Sequence, residues 1–263
     1  MSGNRIDLTL VDRGFFPSRE KARAAVLAGE VKVDGDVVTK AGQSISPDAD
    51  IQVAEARRFV SRGGHKLEGA LESFGIDVSD VRALDVGAST GGFTDCLLKR
   101  GAASVAAVDV GYGQLAWELR QDPRVAVFER TNIRNVDGPA LGAPFDAVVI
   151  DVSFIGLAKV LPHVLPLVAD EGFVLALVKP QFEAGKGRVG KKGVVRDVSV
   201  HADVLNDVIG MVREAGWAVR GLTWSPIKGP EGNIEFWAWI TRDEGIEIDG
   251  ADVARQAHEA LGE

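Results

Sequence analysis

Four charged residues, Lys66, Asp151, Lys179 and Glu235, stand where elements of regular structure begin or end. Lys179 follows the run Phe173-Val174-Leu175-Ala176-Leu177-Val178, whose continuous apolar character is that of a strand buried on both faces of a parallel sheet. Asp151 ends the strand in FDAVVIDV, Glu235 lies near the start of the last apolar run, and Lys66 opens a helix. The carboxyl edge of an open α/β sheet is where ligands bind. Two lysines and two carboxylates gathered there can move a proton, because the carboxylates orient an amine that burial and a like charge encourage to shed its own. The same four residues can also be two ion pairs that only hold the edge together. Residue types alone leave both open.

The elements that must position them alternate regularly from residue 81: VRALDV, a helix, SVAAVDV, a helix, VAVFE, FDAVVIDV, a helix, FVLALVK, a helix, AVRGLTWSP and NIEFWAWI. Such alternation predicts a parallel, doubly wound sheet. The last two strands are joined by IKGPEG, which predicts a hairpin and an antiparallel final strand, the Rossmann-like sheet typical of class I methyltransferases. The first strand-to-helix loop reads Asp85-Val86-Gly87-Ala88-Ser89-Thr90-Gly91-Gly92-Phe93. It is neither G-x-G-x-x-G nor a P-loop, so neither a dinucleotide nor a phosphate grip is indicated. An acid followed by glycines suits a ligand with a cationic, amino-acid-like end, as in S-adenosylmethionine. Asp109, ending the second strand, is placed to accept hydrogen bonds from two ribose hydroxyls, and Asn132, after the third, is expected to approach the adenine. The cofactor set is therefore Asp85, Gly87, Ala88, Ser89, Thr90, Gly91, Gly92, Phe93, Asp109 and Asn132.

The 263 residues, 46% hydrophobic, suit one large domain or a large and a small one. No leader pattern and no membrane-length apolar segment is present, which predicts a cytoplasmic protein. The lone Cys96 excludes an intramolecular disulfide framework and a multi-cysteine metal site, and it is expected to fill the core. The net charge of −8 is unevenly spread: residues 1–66 hold 11 Lys+Arg against 9 Asp+Glu, leaving 19 against 29 for the rest. A local basic face on the first segment is compatible with RNA even in an acidic chain. There the pattern predicts two short helices, Arg5 to Arg13 and Arg19 to Leu27 capped by Ser18, and then a hairpin at Asp34-Gly35.

This order, with Arg5, Asp7, Leu10, Arg13, Gly14, Ser18, Arg19, Ala22, Gly29, Val31, Val33, Gly35 and Lys40, resembles the alpha-L RNA-binding domain named after the fourth small-subunit ribosomal protein. The resemblance implies that Arg5, Arg13, Arg19 and Arg23 meet RNA phosphates, contacts that give affinity and register but not sequence choice. The expected boundaries are an RNA-binding domain over 1–55, a short linker over 56–60 and a methyltransferase domain over 61–263. A lysine, an aspartate, a second lysine and a glutamate in that chain order resemble the tetrad of FtsJ-like ribose 2′-O-methyltransferases. Together with RRFVSRGGHK, LDVGASTGGFTD, DVGYGQLAW, RTNIR, DVSFI, VKPQFEAGKG and GPEGNIEF, the chain resembles the TlyA family, cytidine 2′-O-methyltransferases of ribosomal RNA sometimes labelled hemolysins. What the resemblance implies is methylation of 16S or 23S ribosomal RNA or both, with ribosomal subunits as partners. Lys179 would act as the base, Lys66 would steady the hydroxyl and its oxyanion, Asp151 and Glu235 would orient the lysines, and no metal would be needed.

Two rival readings follow from the same chain. A methyltransferase acting on a base nitrogen would commonly carry Asn/Asp-Pro-Pro-aromatic after the fourth strand, where this chain has DVSF. A membrane-active hemolysin would need a spanning segment or an exposed basic amphipathic stretch, and neither is evident. The basic, glycine-rich segment 185–193 is either a loop that closes over RNA or a solvated surface loop. Trp217, Trp224, Trp237 and Trp239 are expected to be packing residues. The target cytidine and the oligomeric state are not legible.

Overall fold

The computed structural model describes residues 4–53, 58–185, 187–243 and 245–262, without the side chains of Lys191 and Pro230. The chain divides into two compact units, 1–58 and 59–263. The expected linker lies partly outside the described residues.

In the smaller unit, helices Ile6–Asp12 and Arg19–Leu27 bury one apolar stripe each, Ile6 and Leu10 from the first and Ala22, Ala25 and Val26 from the second. Ser18 caps the second helix by accepting from the Lys21 amide at 3.3 Å. Strands Val31–Val33 and Asp36–Val37 pair antiparallel around Asp34 and Gly35, both at positive φ (51° and 91°), the backbone that a two-residue hairpin turn requires. Ile51–Val53 pairs with the other edge of Val31–Val33.

The larger unit is built on seven strands: β1 Arg82–Val86, β2 Ser104–Val108, β3 Val125–Phe128, β4 Phe145–Ile150, β5 Val168–Val178, β6 Ala218–Trp224 and β7 Phe236–Thr241. Their spatial order is β6-β7-β5-β4-β1-β2-β3. Pairs β5–β4, β4–β1, β1–β2 and β2–β3 are parallel, while β7 runs antiparallel to both β5 and β6, as the terminal hairpin predicts. Apolar residues cover both faces of the sheet, so β4 and β5 are apolar at consecutive positions instead of alternating. Cys96, in helix Gly92–Lys99, is a fully buried member of one of these cores, and Trp237 is likewise buried.

Candidate active site at the carboxyl edge of the sheet

Strand register brings three of the four charged residues side by side. Val178 pairs with Phe236, so the next antiparallel step sets Lys179 against Glu235. Ala176 pairs with Ile150 in parallel, and Asp151 follows Ile150 on the neighbouring strand, where its amide donates to the Val86 carbonyl at 2.9 Å. Lys66 reaches the same edge from helix Gly63–Phe74 and pairs with Glu235. Two glycines allow that helix to sit so close: a Cβ on Gly64 would fall 2.2 Å from the Phe59 ring, and one on Gly92 would fall 2.3 Å from Ser61 Oγ. Phe59 itself is buried in the core of the larger unit.

The four residues form two ion pairs of different character. Lys66–Glu235 is enclosed, with Glu235 wholly buried and Lys66 7% exposed. A Cβ on Gly229 would lie 2.2 Å from Glu235 Oε1, so only glycine fits beside that carboxylate. Lys179–Asp151 opens to solvent through Asp151, whose side chain is 22% exposed. Lys179 Nζ also donates to Ser153 Oγ at 3.0 Å, a partner that sequence reasoning missed.

Beside this edge lies a cavity of about 480 Å³ lined by Gly87 and Ser89 of the first loop, Asp109 and Val110 after β2, Asn132 and Ile133 after β3, and Asp151 to Ile155 after β4. That volume is within the range of small-molecule sites. Asp109 bridges two of these loops, accepting from the Ser89 amide at 2.8 Å and the Gly111 amide at 2.6 Å. Asn132 caps the short turn Ile133–Asn135 by accepting from the Arg134 amide at 3.1 Å. Gly87 is at φ +89°, and a Cβ there would meet the Asp151 carbonyl oxygen at 2.4 Å. Ala88, Thr90, Gly91, Gly92 and Phe93 do not line the cavity. A Cβ on Gly91 would strike Leu119 at 2.3 Å, and Phe93 lies 5.3 Å from the Trp237 ring in the core, so these residues shape the loop from behind.

Asp85 is fully buried at the end of β1. Its Oδ2 accepts from the Thr94 amide at 3.0 Å and the Thr94 hydroxyl at 2.7 Å, while Oδ1 has no partner. Burial pushes its carboxyl up to about 7; the Thr94 hydrogen bonds oppose the rise, and the charges of Asp151 and Asp109 add to it. Asp109 and Asp151 line the cavity, while Asp85 does not form part of its wall and keeps one buried, unpartnered oxygen. The folded state holds the Asp85 proton more tightly than the unfolded chain, so this residue's contribution to stability falls as pH rises from about 4 towards 7. Asp85→Asn is therefore expected to flatten the decline of thermal stability over that interval, read by melting scans with no ligand added.

The cavity and ion-paired edge occupy the part of the chain, residues 59–242, that matches the family model of FtsJ-like methyltransferases. The chain belongs to the FtsJ-like methyltransferase family. Residues 4–51 match the S4 domain. Within the family the chain falls in the TlyA group. It is 46% identical, over 98% of its length and 97% of the relative's, to the 16S/23S rRNA (cytidine-2′-O)-methyltransferase TlyA of Mycobacterium tuberculosis. It is 42% identical to Hemolysin A of Brachyspira hyodysenteriae, over 89% of this chain and 98% of that one. A solved structure of a candidate hemolysin from Streptococcus thermophilus, 41% identical, superposes with a TM-score of 0.77 over 100% of this chain and 98% of the other. Among the described residues no helix is long and apolar enough to cross a membrane.

In the S4 unit the four arginines part ways. Arg5 and Arg19 share the buried Asp7, at 3.0 Å for each of two Arg5 contacts and 2.9 Å for Arg19, and these guanidinium contacts, Arg5 foremost, hold the Asp7 carboxyl down to about 2. Arg13 instead donates to the carbonyls of Ala49, at 2.9 Å, and Pro47, stitching the chain after the hairpin to the first helix. Arg23 lies exposed on the second helix.

Proposed function

We propose that the chain transfers a methyl group from S-adenosylmethionine to the ribose 2′-hydroxyl of a cytidine in ribosomal RNA. The observation that carries this reading is the pairing of Lys179 with Asp151 across neighbouring strand ends and of Glu235 with Lys66 from the adjoining helix, beside an acid-lined cavity. S-adenosylmethionine, when bound, supplies an electrophilic methyl on a sulfonium. Its amino end suits the orphaned Asp85 oxygen, its ribose suits Asp109, and its adenine suits the walls given by Val110, Ile133 and Asn132. If the ionised carboxylate is the form that grips a cation, cofactor affinity should rise about fivefold between pH 6 and 7 and be weak and flat in Asp85→Asn, as calorimetry would show.

Lys179 is the residue suited to take the hydroxyl proton: it is held by Asp151 on one side and Ser153 on the other, and a neutral amine there has a lone pair for the acceptor. Lys66, fixed by Glu235, keeps a positive charge at the same edge, which steadies the developing oxyanion. Aromatic and cationic groups around the cavity suit a splayed nucleotide. Phe154 and Arg134 both line it, and Phe154 is 91% exposed.

Delivery of the RNA falls to the S4 unit. Arg23→Ala should weaken RNA binding across sequences and lower the slope of log affinity against log salt by about one. Arg13→Ala should chiefly lower the melting temperature of that unit, because its guanidinium is engaged by backbone carbonyls. Equal salt slopes for Arg23→Ala and the native protein would contradict this division of labour.

Incubating the protein with separated ribosomal subunits and methyl-labelled cofactor tests the reading: label is expected in RNA of one or both subunits and absent from ribosomal proteins. A liposome-leakage assay without cofactor addresses the membrane-active alternative, which calls for release of contents by the protein alone.

A further inference from the structure

Phe154 combines three features seldom found together: a phenylalanine, at φ +65°, almost wholly exposed. A non-glycine residue in that backbone region costs on the order of 1–3 kcal/mol and persists only where its surroundings over-determine it. Those surroundings come from one short segment. Lys179, its backbone still extended, leads directly into the single-turn helix Pro180–Glu183, which carries Phe182 and Glu183. Each holds a point on the segment after β4. Lys179 Nζ donates to Ser153 Oγ at 3.0 Å, the Phe182 ring lies 5.2 Å from that of Phe154, and Glu183 Oε1 accepts the Leu157 amide at 2.8 Å.

We propose that Glu183 is a positioning residue for methyl transfer: its carboxylate locks the 153–157 segment in register with Lys179, so that base and acceptor nucleotide meet in one geometry. The inference rests on the function proposed above. Glu183 is half-buried, and burial pushes its carboxyl above the usual range, a cost that a residue serving only solubility would not carry. Gly156 supports the same reading. Its backbone, at φ −79°, would accept alanine, yet a Cβ there would fall 3.0 Å from Glu183 Oε2. The glycine leaves room for the carboxylate and is not needed for the turn itself.

The test measures steady-state methylation of ribosomal RNA together with calorimetric affinity for S-adenosylmethionine in E183A, E183Q, G156A and the double variant. E183A is expected to lower kcat/KM for RNA by about 10- to 100-fold, the scale of a displacement near 1 Å at a reacting centre. Cofactor affinity should stay within about threefold, because Asp85 and Asp109 are untouched. E183Q should recover most of the loss, since its amide oxygen can accept the same N–H. G156A should impair native protein but cost nothing further in E183A, the non-additivity of two residues sharing one contact. Native kcat/KM in E183A, a parallel fall in melting temperature and cofactor affinity, or fully additive losses would overturn the inference. Should E183A fail to fold, unchanged kcat/KM in G156A overturns it. A native protein that labels no ribose would overturn the proposed function and this inference with it.

Discussion

Lys179→Ala is expected to slow single-turnover methylation by roughly 10²- to 10⁴-fold, the usual worth of general acid–base catalysis. Affinities for S-adenosylmethionine and for RNA should stay near those of the native protein. Lys179 itself does not line the cavity, the groups suited to the cofactor's ribose and adenine, Asp109, Val110, Asn132 and Ile133, follow β2 and β3, and the S4 unit has its own core. Lys179→Arg should restore little, because a guanidinium stays protonated and cannot accept the hydroxyl proton. An ion pair that served only structure gives the opposite pattern: arginine would restore activity, and alanine would lower the melting temperature in step with it.

The second large effect concerns stability. Glu235→Ala leaves Lys66 charged, 7% exposed and without its carboxylate, and breaking a buried pair from one side costs about 3–5 kcal/mol. Chemical denaturation should show that loss, with the slope against denaturant unchanged. Asp151→Ala leaves a lysine, Lys179, as buried as Lys66, but it removes a carboxylate that already meets solvent and leaves Ser153 still accepting from the amine, so its loss of stability should be smaller while its loss of activity remains large. A stability cost for Asp151→Ala equal to that for Glu235→Ala would contradict the distinction between an enclosed pair and an open one.

The sheet was legible in the sequence because its central strands are covered on both faces, which writes them as unbroken apolar runs, and because a charged residue marks the end of each functional strand. The antiparallel β7 was legible from the short connection IKGPEG, and the hairpin of the small unit from Asp34-Gly35. Other features could not be read because their cause lies far along the chain. Arg13 is one of several arginines in sequence, and the carbonyls that hold it belong to residues 47 and 49. That Gly91 and Gly92 form a glycine-rich turn is legible, but not that Leu119 and Ser61 leave no room for a Cβ there. Ser153 and Phe154 carry no periodic signal at all. The serine matters through a lysine 26 positions away, and the phenylalanine is exposed where hydrophobic patterning expects burial.

The most direct measurement of the central claim is the chemical form of the methylated product. Ribosomal RNA labelled by the protein from methyl-labelled S-adenosylmethionine is hydrolysed in alkali and its fragments are identified by mass spectrometry. A 2′-O-methyl group blocks the neighbouring hydroxyl attack that cleaves the chain, so the account predicts label in alkali-stable dinucleotides with 2′-O-methylcytidine at the 5′ position. The same label should be lost when Lys179→Ala protein is used. Label recovered in mononucleotides carrying a methylated base, or in ribosomal protein, would contradict it.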